Sequence, residues 1–291
     1  MTAAALQRAV RAEEIGGTRA ATEAATAPLR GAVVAGDGEP VVMLHASLSA
    51  KSQWTPLVER LAPRYTAIAL DLVGYGDRPL PEHGRAHSID DEVELVADSI
   101  DLFAAPRARV HLVGHSFGGL VALRYASLRP ERVASLVLYE PVAFRILRED
   151  DPALAVVKCV AASATGLAAA GHLYEVAETV VDYWSGIGTY AAMPERTREA
   201  IARCSAKMPH DFAAAWAWHI TDDDLRTVTM PVLLLAGRRS PVVTRNVMAR
   251  LGAKLLDARV ASFDCGHMGP VTDPDAINAA IAAFVGLHPG I

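Results

Sequence analysis

Ser116 lies in the run Gly114-His115-Ser116-Phe117-Gly118, which matches the pattern G-x-S-x-G. An apolar run over 109–114 comes directly before it, and a helical pattern begins at Gly119. A strand that turns sharply into a helix crowds its neighbours, so small residues are needed on both flanks, and the strained turn pushes the serine hydroxyl into the open. The N-terminus of the following helix then offers backbone N–H groups and a favourable dipole to an oxyanion. The context predicts an activated serine in place of the incidental serine of a glycine-rich turn.

Such a nucleophile needs a base, and the base needs an anion to orient it. His267 follows an apolar strand and Gly266 and precedes the terminal helical pattern, where a loop can swing an imidazole over the serine. Glu140 ends the apolar strand Val137-Leu138-Tyr139, at the edge where doubly wound sheets keep their sites and where an unpaired carboxylate would be costly. It also preserves the chain order Ser, acid, His. Asp222, Asp223 and Asp224, whose run reads as a solvated edge or helix N-cap, and Asp264, close in sequence to His267, are the competing acids. His45 and His115 read as hydrogen-bonding neighbours of the site. His83, His87, His172, His210, His219 and His288 read as surface or packing residues.

The elements that must position these groups follow from hydrophobic periodicity. Short apolar runs at 40–45, 66–71, 109–114 and 135–139 suit strands buried on both faces, and strand patterns resume at 230–236 and 259–263. Helical patterns at 54–61, 90–103, 119–129, 243–251 and 273–285 lie between or after them. The alternation predicts an α/β fold with a mostly parallel, doubly wound sheet and helices on both sides. The rhythm breaks over 142–228, a helical, strand-poor stretch that reads as an inserted cap on a core of 29–141 and 229–291. Residues 1–28 read as a tail or a loosely docked helix without the apolar core of a secretory signal.

With these pieces in order, the chain resembles the α/β-hydrolase family over about residues 31–288. His45-Ala46-Ser47 resembles the family's HG-x oxyanion segment, Asp71-Leu72-Val73-Gly74-Tyr75-Gly76 its D-x-x-G-x-G turn, and Cys265-Gly266-His267 the late G-H that supplies the base. The resemblance implies an oxyanion hole made by the backbone N–H of Phe117 and that of Ser47 or Leu48. Ala46 replaces the common glycine, so a shifted loop is expected. Most members would carry an aspartate three residues past Gly237, where this chain has Ser240. Certain haloalkane dehalogenases resemble it in taking their acid from the earlier strand, as Glu140 would be taken here. Their nucleophile is a carboxylate, so dehalogenation does not carry over.

The equipment is that of acyl transfer, most often to water. Phe144, Tyr183, Trp184, Trp216, Trp218 and Met268 are candidates to line an apolar pocket for a small or medium acyl substrate. A lyase, cyclase or acyltransferase on the same scaffold is the first alternative, and a binding protein with a degenerate site the second. The 291-residue chain is 52% hydrophobic and 21% charged, ordinary globular usage. A net charge of -5 with scattered Lys and Arg gives no footprint for nucleic acid. There is neither a nucleotide-binding glycine fingerprint nor a metal-ligand pattern, so no cofactor or metal is expected. Cys159, Cys204 and Cys265 lack disulfide-framework spacing, which points to the cytoplasm. No membrane span is expected, and an exposed apolar cap would suit substrate entry or a homodimer interface alike.

Overall fold

The computed structural model describes residues 31–81 and 87–290. The reading of residues 1–28 as a tail or helix, and that of His83, fall outside the described residues. Within them a seven-stranded sheet has the order β1-β3-β2-β4-β5-β6-β7. Its strands are β1 (Ala32–Ala35), β2 (Glu39–Leu44), β3 (Tyr65–Leu70), β4 (Val110–His115), β5 (Val133–Tyr139), β6 (Val232–Gly237) and β7 (Ala258–Phe263). Only β1 runs antiparallel, pairing with β3. β4, β5 and β6 are buried at every position, as continuous apolar strands covered on both faces must be.

Helices α1 (Thr55–Leu61), α2 (Ile89–Phe103) and α3 (Phe117–Leu128) connect the first strands, and α9 (Val242–Lys254), α10 (Gly269–Thr272) and α11 (Pro274–Gly286) flank the last. Two buried clusters flank the sheet, one on each face, and a third lies among the helices between β5 and β6. The larger of the flanking pair contains Leu112, Leu136 and Leu234 with α2 and α3; the other contains Val113, Val137 and Leu235 with α1 and α11. Alternate residues of the same strands thus feed opposite cores, the period-two rule of a pleated strand.

The segment between β5 and β6 carries α4 (Pro152–Ala169), α5 (Leu173–Ser185), α6 (Glu195–Cys204), α7 (Met208–Ala217) and α8 (Asp222–Arg226), with no strand among them. α4 meets the length and composition of a membrane span at a mean hydropathy of 1.6, although Lys158 interrupts its apolar run. Leu154, Val157, Ala161 and Ala164 turn one face of α4 inward, and the Lys158 ammonium lies over the Trp216 ring.

The strand order reverses between β2 and β4. From β2 the chain moves outward to β3 and then crosses back to β4, which leaves a crevice at the carboxyl ends of β2 and β4, where open α/β sheets place their ligands. Leu44 lies in register with Gly114, His115 with Tyr139, Tyr139 with Leu235 and Gly237 with Phe263. Ser47, Ser116, Glu140, Ser240 and His267 therefore leave the sheet along one edge.

Candidate active site

Ser116 occupies the turn between β4 and α3 at φ 56 and ψ −114, a conformation that costs an ordinary residue about 1–3 kcal/mol. The neighbours over-determine it. Its N–H donates to Tyr139 O at 2.9 Å, and its carbonyl accepts the N–H groups of Leu120 and Val142 at 3.1 and 3.2 Å. The two motif glycines are needed for contact. A Cβ on Gly114 would lie 2.5 Å from the Gly118 carbonyl oxygen, and one on Gly118 would lie 2.4 Å from that of His45. Leu48 (φ 58) and Glu140 (φ 43) share this edge, so three of the four described non-glycine residues with positive φ gather here, the other being Arg107 (φ 65) before β4.

His267 Nε2 lies 2.9 Å from Ser116 Oγ, and His267 Nδ1 lies 2.7 Å from Glu140 Oε2. The other Glu140 oxygen accepts the Gly237 N–H at 2.8 Å. Glu140 is fully buried and His267 and Ser116 nearly so. With Nδ1 donating to the carboxylate, Nε2 is left to accept the serine proton. The histidine loop is fixed from three sides. His115 Nε2–H donates to the His267 carbonyl at 2.8 Å, the Tyr139 hydroxyl donates to the Gly266 carbonyl at 2.8 Å, and the Trp184 indole stacks on the imidazole at 4.2 Å. The competing acids are engaged elsewhere: Asp222 with Lys254, Asp223 with Arg226, Asp224 with the Thr221 cap, and Asp264 with Arg239. Ser240 is buried, and its hydroxyl has no partner.

A cavity beside Ser116 is bordered by Phe117, Ser47 and Leu48, and also by Phe144, Trp184 and Met268. Phe117 opens α3, so its N–H is among those with no acceptor inside the helix. In the β2 loop the positive φ belongs to Leu48, two residues beyond Ala46, so the alanine sits there without strain. Tyr183 borders an adjoining groove that shares Trp184 and His267 with the cavity. Trp216 and Trp218 correct the expectation, because they border neither space. On α7, Met208, Asp211, Phe212 and Ala215 share the face toward the cavity at helical spacing, whereas Trp216 is turned about 80–100° away, behind Phe144, at a ring distance of 5.2 Å. Trp218 lies past the end of α7 under the Arg124 guanidinium.

Sequence reasoning missed a buried charged network on the cavity wall. Asp211 Oδ2 accepts the hydroxyls of Ser47 and Tyr75, both at 2.5 Å, and Asp211 Oδ1 accepts Lys207 Nζ at 2.7 Å. Lys207 also donates to Glu92 at 2.9 Å, and Glu92 accepts the Val73 N–H at 3.1 Å. Burial alone would lower the Lys207 ammonium and raise the Glu92 carboxyl. Their pairing outweighs it, so Lys207 stays above its usual value and Glu92 below. The only signal in the sequence was the i,i+4 spacing of Lys207 and Asp211. Lys207→Met would leave two carboxylates facing each other without a cation in the interior. The expected loss is about 3–5 kcal/mol, read as a lower urea midpoint at unchanged slope. A midpoint within error of wild type would contradict the network.

Buried histidines whose protonation burial disfavours are expected to limit stability in acid, His45 and His115 beside the site and His111 on β4 among them. His45 accepts the Leu72 N–H at Nε2 and donates Nδ1–H to the Ala46 carbonyl, so it is neutral. Burial lowers it, and burial with the nearby His267 holds His115 well below 6.5. Below that pH the unfolded chain gains protons that the native chain refuses, so stability falls as pH falls, at up to about 1.4 kcal/mol per pH unit for each histidine. Thermal melts are expected to show the fall between about pH 6.5 and pH 5.5, with His115→Gln losing part of it. An unchanged Tm across that window would contradict this assignment.

Among the described residues no group of three or more His, Cys, Asp or Glu side chains is arranged to hold a metal ion.

A sequence profile described as "Alpha/beta hydrolase family" matches residues 41–280. The chain is 28% identical over 262 residues to a lipase of Mycobacterium tuberculosis, covering 84% of this chain and 93% of that protein. It is also 28% identical over 244 residues to the pimeloyl-[acyl-carrier protein] methyl ester esterase of Nitrosomonas europaea, covering 82% and 93%. Among solved structures, a thermophilic esterase from Thermogutta terrifontis matches with a TM-score of 0.70 at 21% identity, covering 89% of this chain and 93% of that one, a likeness of fold.

Proposed function

The chain belongs to the alpha/beta hydrolase family, and from that premise we propose that it cleaves an ester-type bond of a small or medium, partly apolar acyl substrate through an acyl-enzyme on Ser116. The observation that carries this reading is the unbroken hydrogen-bonded line from Ser116 through His267 to Glu140, at 2.9 and 2.7 Å.

In this mechanism Ser116 Oγ attacks the acyl carbon while His267 Nε2 takes its proton. The carbonyl oxygen becomes an oxyanion held by the Phe117 N–H and that of Ser47 or Leu48. Glu140 keeps Nδ1 protonated and stabilises the imidazolium. The C–O bond to the leaving group then breaks, and the imidazolium gives its proton to the departing oxygen. Water, deprotonated by His267, attacks the acyl-enzyme and releases the acid, returning the proton to Ser116. The helices of 142–228 act as a cap that shields the site from bulk water. The three free thiols fit a reducing compartment such as the cytoplasm.

Rapid-mixing kinetics with p-nitrophenyl butyrate test the reaction class. An acyl-enzyme pathway with slow deacylation gives a burst of about one p-nitrophenolate per enzyme, then steady turnover that yields butyric acid. Ester consumption with the butyryl group passed to another acceptor, and no free acid, would instead make the protein an acyltransferase.

A further inference from the structure

Two spaces have His267 in their linings. One is an apolar chamber of about 100 Å³ that begins at Ser116 and is walled by α5, α6 and α7. The other is a groove of about 560 Å³, bordered by Tyr183 and Pro241 and carrying Arg239 and Asp273. Trp184, Ser185, His267 and Met268 border both, whereas Ser116, Phe117, Ser47 and Leu48 border the chamber alone. The Trp184 indole, stacked on His267 with 24° between the ring planes, is part of the wall between them.

Resting on the serine-hydrolase reading, we infer that the chamber takes the acyl chain and the groove takes the leaving group, which makes short acyl esters of bulky, amphiphilic alcohols the preferred substrates. The geometry of the tetrahedral carbon carries the assignment. One of its substituents is Ser116 Oγ, and a second is the oxyanion, which faces the Phe117 N–H. The leaving oxygen must lie beside His267 Nε2, because that nitrogen protonates it as the C–O bond breaks. The groove has His267 but not Ser116 in its lining, so of the two spaces it is the one on the histidine side and is assigned to the leaving group. The acyl chain takes the remaining direction, into the chamber.

Volume then sets the sizes. A dry apolar cavity of about 150 Å³ takes up benzene, so a chamber of about 100 Å³ holds an acyl chain of about two to four carbons. The groove is the larger and more open of the two. The aromatic faces of Tyr183 and Trp184 suit a ring there, and Arg239 and Asp273 suit polar substituents on it.

Two ester series separate the two spaces: 2-phenylethyl esters from acetate to octanoate, and butyrates from methyl to 2-phenylethyl. The expected kcat/KM falls about 100-fold from butyrate to octanoate and rises about 10-fold from the methyl to the 2-phenylethyl ester. Met193 and Ile201 border the chamber away from the nucleophile, and Met193→Ala combined with Ile201→Ala widens it. That variant is expected to recover at least about tenfold of the octanoate loss while keeping the alcohol preference. Preference for octanoate, or for methyl over 2-phenylethyl esters, overturns the partition in an enzyme that is still labelled at Ser116 by a fluorophosphonate. Absence of both labelling and ester cleavage overturns the serine-hydrolase reading and the partition with it.

Discussion

Ser116→Ala is expected to lower kcat by about 10⁵- to 10⁶-fold while KM changes by no more than about threefold. The substitution removes only Oγ, the atom that lies 2.9 Å from His267 Nε2 and that, in the proposed mechanism, bonds to the acyl carbon. The cavity walls and the Phe117 N–H stay in place, so ground-state binding is retained and the lost interaction belongs to the transition state. The fold should tolerate the change, because the turn is held by backbone hydrogen bonds to Tyr139, Leu120 and Val142. Steady-state kinetics beside a thermal melt would check both halves. Retention of more than about 1% of kcat in a folded variant would remove Ser116 from the role of nucleophile.

Glu140→Gln is expected to cost about 10⁴ in kcat at nearly unchanged structure. The carboxylate accepts two hydrogen bonds, one from Gly237 N–H and one from His267 Nδ1–H. A carboxamide has a single oxygen. If that oxygen stays with Gly237, the NH₂ group faces Nδ1, which must then become an acceptor. The proton moves to Nε2, and the imidazole can no longer take the serine proton. If the oxygen instead turns to His267, two donors meet at Gly237 and the imidazolium still lacks its anion. Asp264→Asn and Asp222→Asn serve as controls, because both carboxylates are exposed and paired with Arg239 and Lys254. Each is expected to stay within about twofold of wild type, the usual effect of changing a surface charge. A near-wild-type Glu140→Gln beside a collapsed aspartate variant would transfer the role of the acid.

The strands that build the site were legible because β2 to β6 are continuous apolar runs between turn residues, a pattern that follows from burial on both faces. β1 was not, since four residues with mixed exposure on an antiparallel edge carry no such pattern. Ser116 was legible because its flanking glycines answer to local contacts between β4, α3 and the end of β2. Glu140 was legible as a strand end, but its hydrogen bond to His267 spans 127 residues and its partner could be inferred only from chain order. The Asp211 network lay beyond local reasoning for the same cause, since Ser47 and Asp211 are 164 residues apart and meet only when the helical insertion packs on the core. Trp184 does border the cavity, whereas Trp216 and Trp218 failed for another reason. Residue type marked Trp216 and Trp218 as suited to a pocket, while the face of α7 that looks into the cavity is set by packing and carries Phe212 and Ala215 instead.

The most direct test of the account is the intact mass of the protein after exposure to a small fluorophosphonate, with Ser116→Ala alongside. Phosphonylation requires an activated serine and no knowledge of the substrate. One adduct is expected on wild type and none on Ser116→Ala. No adduct on folded wild type, or an adduct that persists in the variant, would contradict it.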